Sequence, residues 1–430
     1  MPAHTRCRIC TTPLPSPFLD FGDMPLANSF LSSLEEADNE ARYPLAVTAC
    51  QTCGLAQLTY VVPPEQLFRN YLYVTSTSDA VKVHADWLAK ELAGRYGWTR
   101  SQFLVEVASN DGTVLRSFQR SGLRVLGVEP ARNIAAMAEA DGIPTLAEFF
   151  NAATAKEIAA SHGRAVAILG RHVFAHVNDL HDFLKGVDIL LNDEGVFLIE
   201  MPYLGTLLSH MEFDTIYHEH LSYFSLAPFM RLCQNHGLVL VDVERVKLHG
   251  GSILLHVRRQ RAGLVRSGRL EHMLEEEQRL ALTSRPALEQ FGQAVHQWRG
   301  QFVDWMGELQ RGGARFIGYG AAAKGTTLLN CCPSIASSLE CILDRNPLKQ
   351  GRYTPGTHLP VKPVDYWLTS RATHLVILAW NFKEEIMRQM RPFAQRGGRF
   401  VVPIPEPTVV DGVPPDPRAV PSSMSGVWGA

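Results

Sequence analysis

Tyr217-His218-Glu219-His220-Leu221-Ser222-Tyr223 opens with four polar, titratable side chains in a row. Such a run cannot all be core, and imidazole is the natural proton carrier near neutrality. His218 and His220 could also hold a metal, but the helical zinc pattern separates its histidines by four residues, and these stand two apart. A further histidine, His176, lies in Arg171-His-Val-Phe-Ala-His-Val-Asn-Asp179, just after the apolar run AVAILG. That places it at the carboxyl edge of a sheet, where α/β proteins bind ligands and where helix caps also occur. Cys7-x-x-Cys10 and Cys50-x-x-Cys53 supply four thiolates in two tight turns, the donor set of a closed tetrahedral zinc site, which points to a structural metal. Cys233, Cys331, Cys332 and Cys341 lack such spacing and read as buried thiols.

Two glycine-containing turns have the spacing of phosphate or adenosine sites. In Val105-Glu-Val-Ala-Ser-Asn-Asp-Gly112 only Glu106 and Gly112 match the acid-x-G-x-G-x-G pattern, with Ala108 and Asn110 at glycine positions and Asp111 beside them. The next strand ends in Gly127-Val128-Glu129, an acid about twenty residues on, where it can bind ribose hydroxyls. This pair suits NAD or S-adenosylmethionine equally. Further on, Gly318-Tyr319-Gly320-Ala-Ala-Ala-Lys324-Gly325 again lies between a strand and a helix, and its turn can approach a phosphate or serve packing alone. It is not a P-loop, because Lys324 precedes rather than follows the last glycine and no Ser or Thr comes next after the lysine.

The elements that must position these groups follow from hydrophobic periodicity. FLVEVA, RVLGVEP, AVAILG and GVFLIEM alternate with helical stretches, as βαβ units around a parallel sheet do, and RFIGYG, ECILD, HLVILAW and RFVVPIP repeat the pattern. Between them lies a Glu/Gln/Arg-rich stretch with apolar residues at helical spacing. The expected organisation is a zinc domain over 1–70, an α/β domain over 71–262, a helical connector over 263–310, a second α/β domain over 311–410 and a flexible tail over 411–430. The first of these is too small to hold itself without a staple. The whole chain has 430 residues, with 41 Lys and Arg against 43 Asp and Glu, a net charge of −2. That balance gives no basic surplus for nucleic acid or an anionic membrane, which leaves small molecules as the expected partners. With no apolar signal core or membrane-length apolar stretch, a cytoplasmic location is expected.

Together these segments resemble the sugar C-methyltransferase family that acts on dTDP-linked 4-keto-deoxysugars, of which the tetronitrose C-3 methyltransferase is a type. The likeness spans residues 5 to about 406 and rests on CRIC, CQTCG, PLANSF, YLYVTSTS, VEVASNDG, HVFAHVNDL, YHEHLSYFS, HGGS, GYGAAAKGTTLLN and DRNPLKQGRYTPGTHLP. Ala322 stands where proline is expected in relatives. The resemblance implies a zinc-binding N-terminal domain, a Rossmann-like methyltransferase domain that uses S-adenosylmethionine, and a C-terminal Rossmann-like domain that helps hold the nucleotide-sugar. It carries over Tyr73, His176, Tyr217, Glu219 and His220 as active-site residues, with His220 as the base. The cofactor is then expected on Glu106, Ala108, Asn110, Asp111, Gly112 and Glu129, and the nucleotide-sugar on Gly318, Tyr319, Gly320 and Lys324. The competing readings are a nucleotide-sugar oxidoreductase using NAD and a non-catalytic binding module; the sugar, the methylated carbon and the oligomeric state stay open, a monomer included.

Overall fold

The computed structural model of the chain describes residues 4–246 and 251–413. The expected tail from Pro414 onward, and His249 and Gly250 of the HGGS motif, lie outside the described residues. Three sheets organise the rest. The central sheet has the order Leu238–Val246, Ser252–Arg259, Leu191–Pro202, Ala165–Arg171, Phe103–Val107, Arg124–Val128, Thr145–Leu146. The last five of these run parallel, and the first two form an antiparallel hairpin at one edge. Every residue of Phe103–Val107 is buried, which is why FLVEV reads as a continuous apolar run rather than an alternating one. The chain leaves Phe103–Val107 in one direction and returns to its other side at Ala165–Arg171. That reversal opens a crevice at the carboxyl ends of both strands.

The C-terminal sheet repeats the plan, with the order Val361–Lys362, Leu339–Leu343, Phe316–Tyr319, His374–Ile377, Arg399–Val402, Thr408–Val410 and only the last strand antiparallel. Its reversal lies between Phe316–Tyr319 and His374–Ile377.

The N-terminal sheet joins Leu19–Pro25, Arg42–Ala49 and Ala56–Leu58 to Ser222–Tyr223, all antiparallel. Its fourth strand therefore comes from the histidine-rich run of the central domain. Leu58 N–H also donates to Leu221 O at 3.0 Å.

The connector is two helices, Gly268–Leu280 and Arg285–Arg311, capped by Ser267 and Ser284 side chains that accept from Leu270 N–H and Ala287 N–H. The longer one is no tether. Its Leu288, Trp298 and Phe302 share one buried core with Leu19 and Val47 of the N-terminal sheet and Phe316 and Leu375 of the C-terminal sheet. At Gly292 the helix presses so closely on the Phe18 carbonyl that no side chain fits.

Candidate active site

A cavity of about 700 Å³ lies between the carboxyl edges of the central and C-terminal sheets, within the range of ligand pockets. On the central side, Val107 and Val128 end side by side and the loop Ala108–Gly112 turns over them. Ala108, Asn110 and Gly112 have φ of +53°, +52° and +72°, the left-handed region that favours glycine. Gly112 has no substitute, since a Cβ there would stand 2.9 Å from Ile143. Asn110 is held by its own side chain, whose Oδ1 accepts Thr75 N–H at 2.8 Å and whose Nδ2 donates to Tyr73 O at 3.1 Å. Glu129 is buried, and its two carboxylate oxygens accept Asn110 N–H and Ala131 N–H, each at 2.9 Å. Glu106, Ala108, Asn110 and Glu129 line the cavity. Asp111 shapes the loop instead, accepting Ser76 N–H at 3.0 Å and the Thr113 hydroxyl at 2.7 Å.

Glu106 Oε2 is buried with no hydrogen-bond partner among the described residues. Burial pushes its carboxyl up to about 8, against the opposing charge of Arg171. Arg171 lines the same cavity and pairs with Glu200, its terminal nitrogen 3.2 Å from Oε1. Glu200 also meets His172 at 3.2 Å and His84 at 2.7 Å. Burial would raise the Glu200 carboxyl, but Arg171 and the two histidines hold it well below the usual carboxylate range. This buried cluster is invisible to motif reading, because His84 and Glu200 stand 116 residues apart.

Deeper in the cavity, His220 Nδ1 lies 2.7 Å from Thr215 O. A carbonyl only accepts, so Nδ1 carries the proton and Nε2 keeps its lone pair. Tyr217 O–H donates to that lone pair at 2.9 Å. His176 meets the His220 ring edge-on at 4.9 Å between centroids. Burial and the neighbouring His176 hold His220 well below its ordinary value, and burial with His172 takes His176 down to about 3. Burial and Glu219 push the Tyr217 phenol well up, and burial takes Tyr73 up to about 12, so both stay protonated at neutral pH. Tyr73, His176, Tyr217 and His220 line the cavity; Glu219 does not. Glu219 accepts from Asn28 Nδ2 and Tyr71 O–H, each at 2.6 Å, and so ties the histidine run to the N-terminal domain. Tyr71, a cavity residue in YLYVTSTS, escaped sequence reasoning. His218 turns the other way, 3.1 Å from Tyr43 O.

Across the cavity, Gly320 and Lys324 line the wall. Gly320 has φ +94°, and a Cβ on it would come within 2.7 Å of Ala379. Gly318 lies inside its strand, and Tyr319 donates its hydroxyl to Gln389 at 2.7 Å. Lys324 Nζ stands 3.6 Å from Glu212 and 4.5 Å over the Trp380 ring. The strand Leu339–Leu343 leads into Asp344, whose carboxylate accepts Ala321 N–H and Asn346 N–H, each at 2.7 Å. That is the Glu129 arrangement built a second time, again on the cavity wall. The acid closing ECILD was its sequence signal. Lys349 braces the same turn, donating to Ala321 O at 2.6 Å.

In the N-terminal domain the four sulfurs of Cys7, Cys10, Cys50 and Cys53 lie within 4.8 Å of one another, with Cys7–Cys53 and Cys10–Cys50 at 3.4 Å. Sulfurs around tetrahedral zinc at about 2.3 Å would stand about 3.8 Å apart, so the thiolates fit that ion. The cluster Asp242, Glu244 and His256 is instead neutralised by Arg95 and Arg269.

Three family profiles match in chain order: a zinc binding domain over residues 7–68, a methyltransferase domain over 90–243 and a C-methyltransferase C-terminal domain over 247–405. Zinc is therefore the metal of the four thiolates. Fold and site define an S-adenosylmethionine-dependent methyltransferase. C-methyltransferase NovU of Streptomyces niveus is 36% identical over 404 residues, covering 94% of this chain and 96% of that protein. The chain belongs to this C-methyltransferase family, which sets aside the oxidoreductase and the non-catalytic module. More distant likenesses include magnesium protoporphyrin IX methyltransferase of Synechocystis PCC 6803 with bound SAM, at 9% identity and TM-score 0.31 over 42% of this chain and 79% of that one. Another is the mitomycin 7-O-methyltransferase MmcR, at 16% identity and TM-score 0.34 over 43% and 56%. No described helix is long and apolar enough to cross a membrane.

Proposed function

We propose that the protein methylates a carbon next to the ketone of a dTDP-linked 4-keto-deoxysugar, with His220 as the base. One observation carries this reading: His220 presents its Nε2 lone pair and Tyr217 its hydroxyl to a cavity flanked by two nucleotide-type sheet edges. A carbon beside a ketone becomes nucleophilic only when its proton is removed while a donor takes up the charge growing on the oxygen. His220 Nε2 accepts that proton. For this lone pair to be free, Tyr217 turns its O–H from Nε2 to the ketone oxygen as the proton leaves carbon and stabilises the enolate, staying protonated because its burial disfavours a phenolate. S-adenosylmethionine, when bound, would supply an electrophilic methyl on a sulfonium: the C–H electron pair ends in the new C–CH3 bond, the S–CH3 pair stays on sulfur as S-adenosylhomocysteine, and the proton leaves through His220. His176 and Tyr73 fill the wall around the sugar, and Glu219 orients Tyr71.

Glu129 is assigned to the adenosine ribose, and Glu106 with Arg171 to the ammonium and carboxylate of the methionine end. Gly320, Lys324 and Asp344 are assigned to the nucleotide of the second ligand, and Gly318 and Tyr319 support that turn from behind. Incubation with S-adenosylmethionine and a panel of nucleotide-linked 4-keto sugars, followed by mass spectrometry, should give a sugar one methylene unit heavier. NMR should find the new methyl on a carbon adjoining the ketone. A methyl found on oxygen, or no product across the panel, would overturn the reading.

A further inference from the structure

The carbonyl that holds His220 in its proton-accepting form belongs to a turn gripped by the C-terminal domain. Thr215 closes the single turn Phe213–Thr215, and its oxygen lies 2.7 Å from His220 Nδ1. The middle residue, Asp214, is fully buried and accepts the indole N–H of Trp380 at 2.7 Å. Trp380 follows the strand His374–Ile377 of the C-terminal sheet. Lys324, in the first turn of Ala323–Cys331, stacks 4.5 Å over the same indole and reaches Glu212, the residue before the turn, at 3.6 Å. A carboxylate in an apolar interior is costly, and a turn needing only packing would be served as well by apolar side chains. Among the described residues the Trp380 N–H is the side-chain hydrogen bond that directs this carboxylate, with its own backbone N–H and the charge of Lys324 acting beside it. The grip adjoins the ligand wall, since Ala379, Asn381 and Phe382, on either side of Trp380, line the cavity.

We propose that Asp214 and Trp380 are positioning residues for His220, through which the C-terminal domain sets the tautomer and aim of the base. The inference rests on His220 being that base. The line runs from Trp380 N–H through the Asp214 carboxylate and the Thr215 carbonyl to His220 Nδ1–H. Seating of the second ligand against 379–382 is thereby coupled to the geometry of proton removal.

Trp380→Phe deletes the N–H and keeps most of the ring, Asp214→Ala deletes the acceptor, and Asp214→Asn keeps an acceptor oxygen. Kinetics on the zinc-loaded full chain should show kcat falling on the order of ten- to hundredfold in W380F and D214A, as a displaced catalytic group costs, with KM nearly unchanged. D214N should restore most of the turnover lost in D214A. Long-range proton–nitrogen NMR of the His220 ring, without substrate, should show a single Nδ1–H tautomer in the parent and a mixture, with faster proton exchange, in W380F. Parent-like kcat and His220 resonances in W380F would overturn the proposal, as would a D214N loss equal to that of D214A. If W380F disturbs the His220 resonances but His220→Asn still methylates, the grip stands and the assignment of the base fails.

Discussion

A histidine that must take a proton from carbon has to be neutral while it waits. Burial does this for His220: with no carboxylate of the described residues against the ring and His176 beside it, the charged form is disfavoured and the imidazole stays neutral well below pH 6.5. With S-adenosylmethionine saturating, so that Glu106 is already engaged, the acid limb of the kcat/KM profile for the sugar should therefore lie below pH 6.5, and a limb above it would contradict the assignment. His220→Asn should cost on the order of a hundred- to ten-thousandfold in kcat, with the cofactor Kd nearly unchanged by calorimetry. Glu106 titrates in the opposite sense. Its folded-state value near 8 lies above the ordinary carboxyl value of 4.5, so the folded state holds its proton more tightly. The corresponding stabilisation is complete below pH 4.5 and is lost as pH rises through about 8. Melting curves of the ligand-free protein should show the parent losing stability over that window relative to Glu106→Gln; parallel pH dependences would refute a buried, unpaired carboxyl.

At the scale of elements, the strand ends do the placing. Glu129 was legible because it closes an apolar run one strand after the VEVASNDG turn, and Asp344 carried the same signal in ECILD. Both arise from local pattern, since a parallel strand must end where its side chains meet the crevice. Glu129→Ala should weaken cofactor binding about ten- to hundredfold, the worth of hydrogen bonds to a charged group, and an unchanged dissociation constant would remove Glu129 from the cofactor site. Less legible was the strand Ser222–Tyr223, which reads as part of a catalytic run yet completes the N-terminal sheet beside Ala56–Leu58. No local period encodes a partner so distant along the chain, and the same holds for Arg171 with Glu200 and Asp214 with Trp380. This pairing gives the zinc a second consequence. Replacing Cys53 with Ala should loosen that sheet, and hydrogen exchange should quicken in peptides covering both 56–58 and 217–223. Quickening confined to residues before 70 would mean that the metal serves its own domain alone.

Over the whole molecule, the two α/β halves face each other across one cavity, and the long helix Arg285–Arg311 packs both the N-terminal and C-terminal sheets into a shared core. The alternation of strands and helices made two such halves readable in advance. That they would share one cleft was not readable, because domain docking depends on surfaces drawn from distant segments. On the proposed mechanism, a cleft shared by the two halves would bring both reactants together and limit water where the carbanion forms. Whether the protein is a carbon-acid catalyst with His220 as base can be tested without methyl transfer. The protein, S-adenosylhomocysteine and the accepted keto-sugar are combined in deuterium oxide, and loss of the proton signal next to the ketone is followed by NMR. The parent should exchange that proton readily and His220→Asn at least about a hundredfold more slowly. Equal exchange rates in the two proteins would show that His220 is not the base.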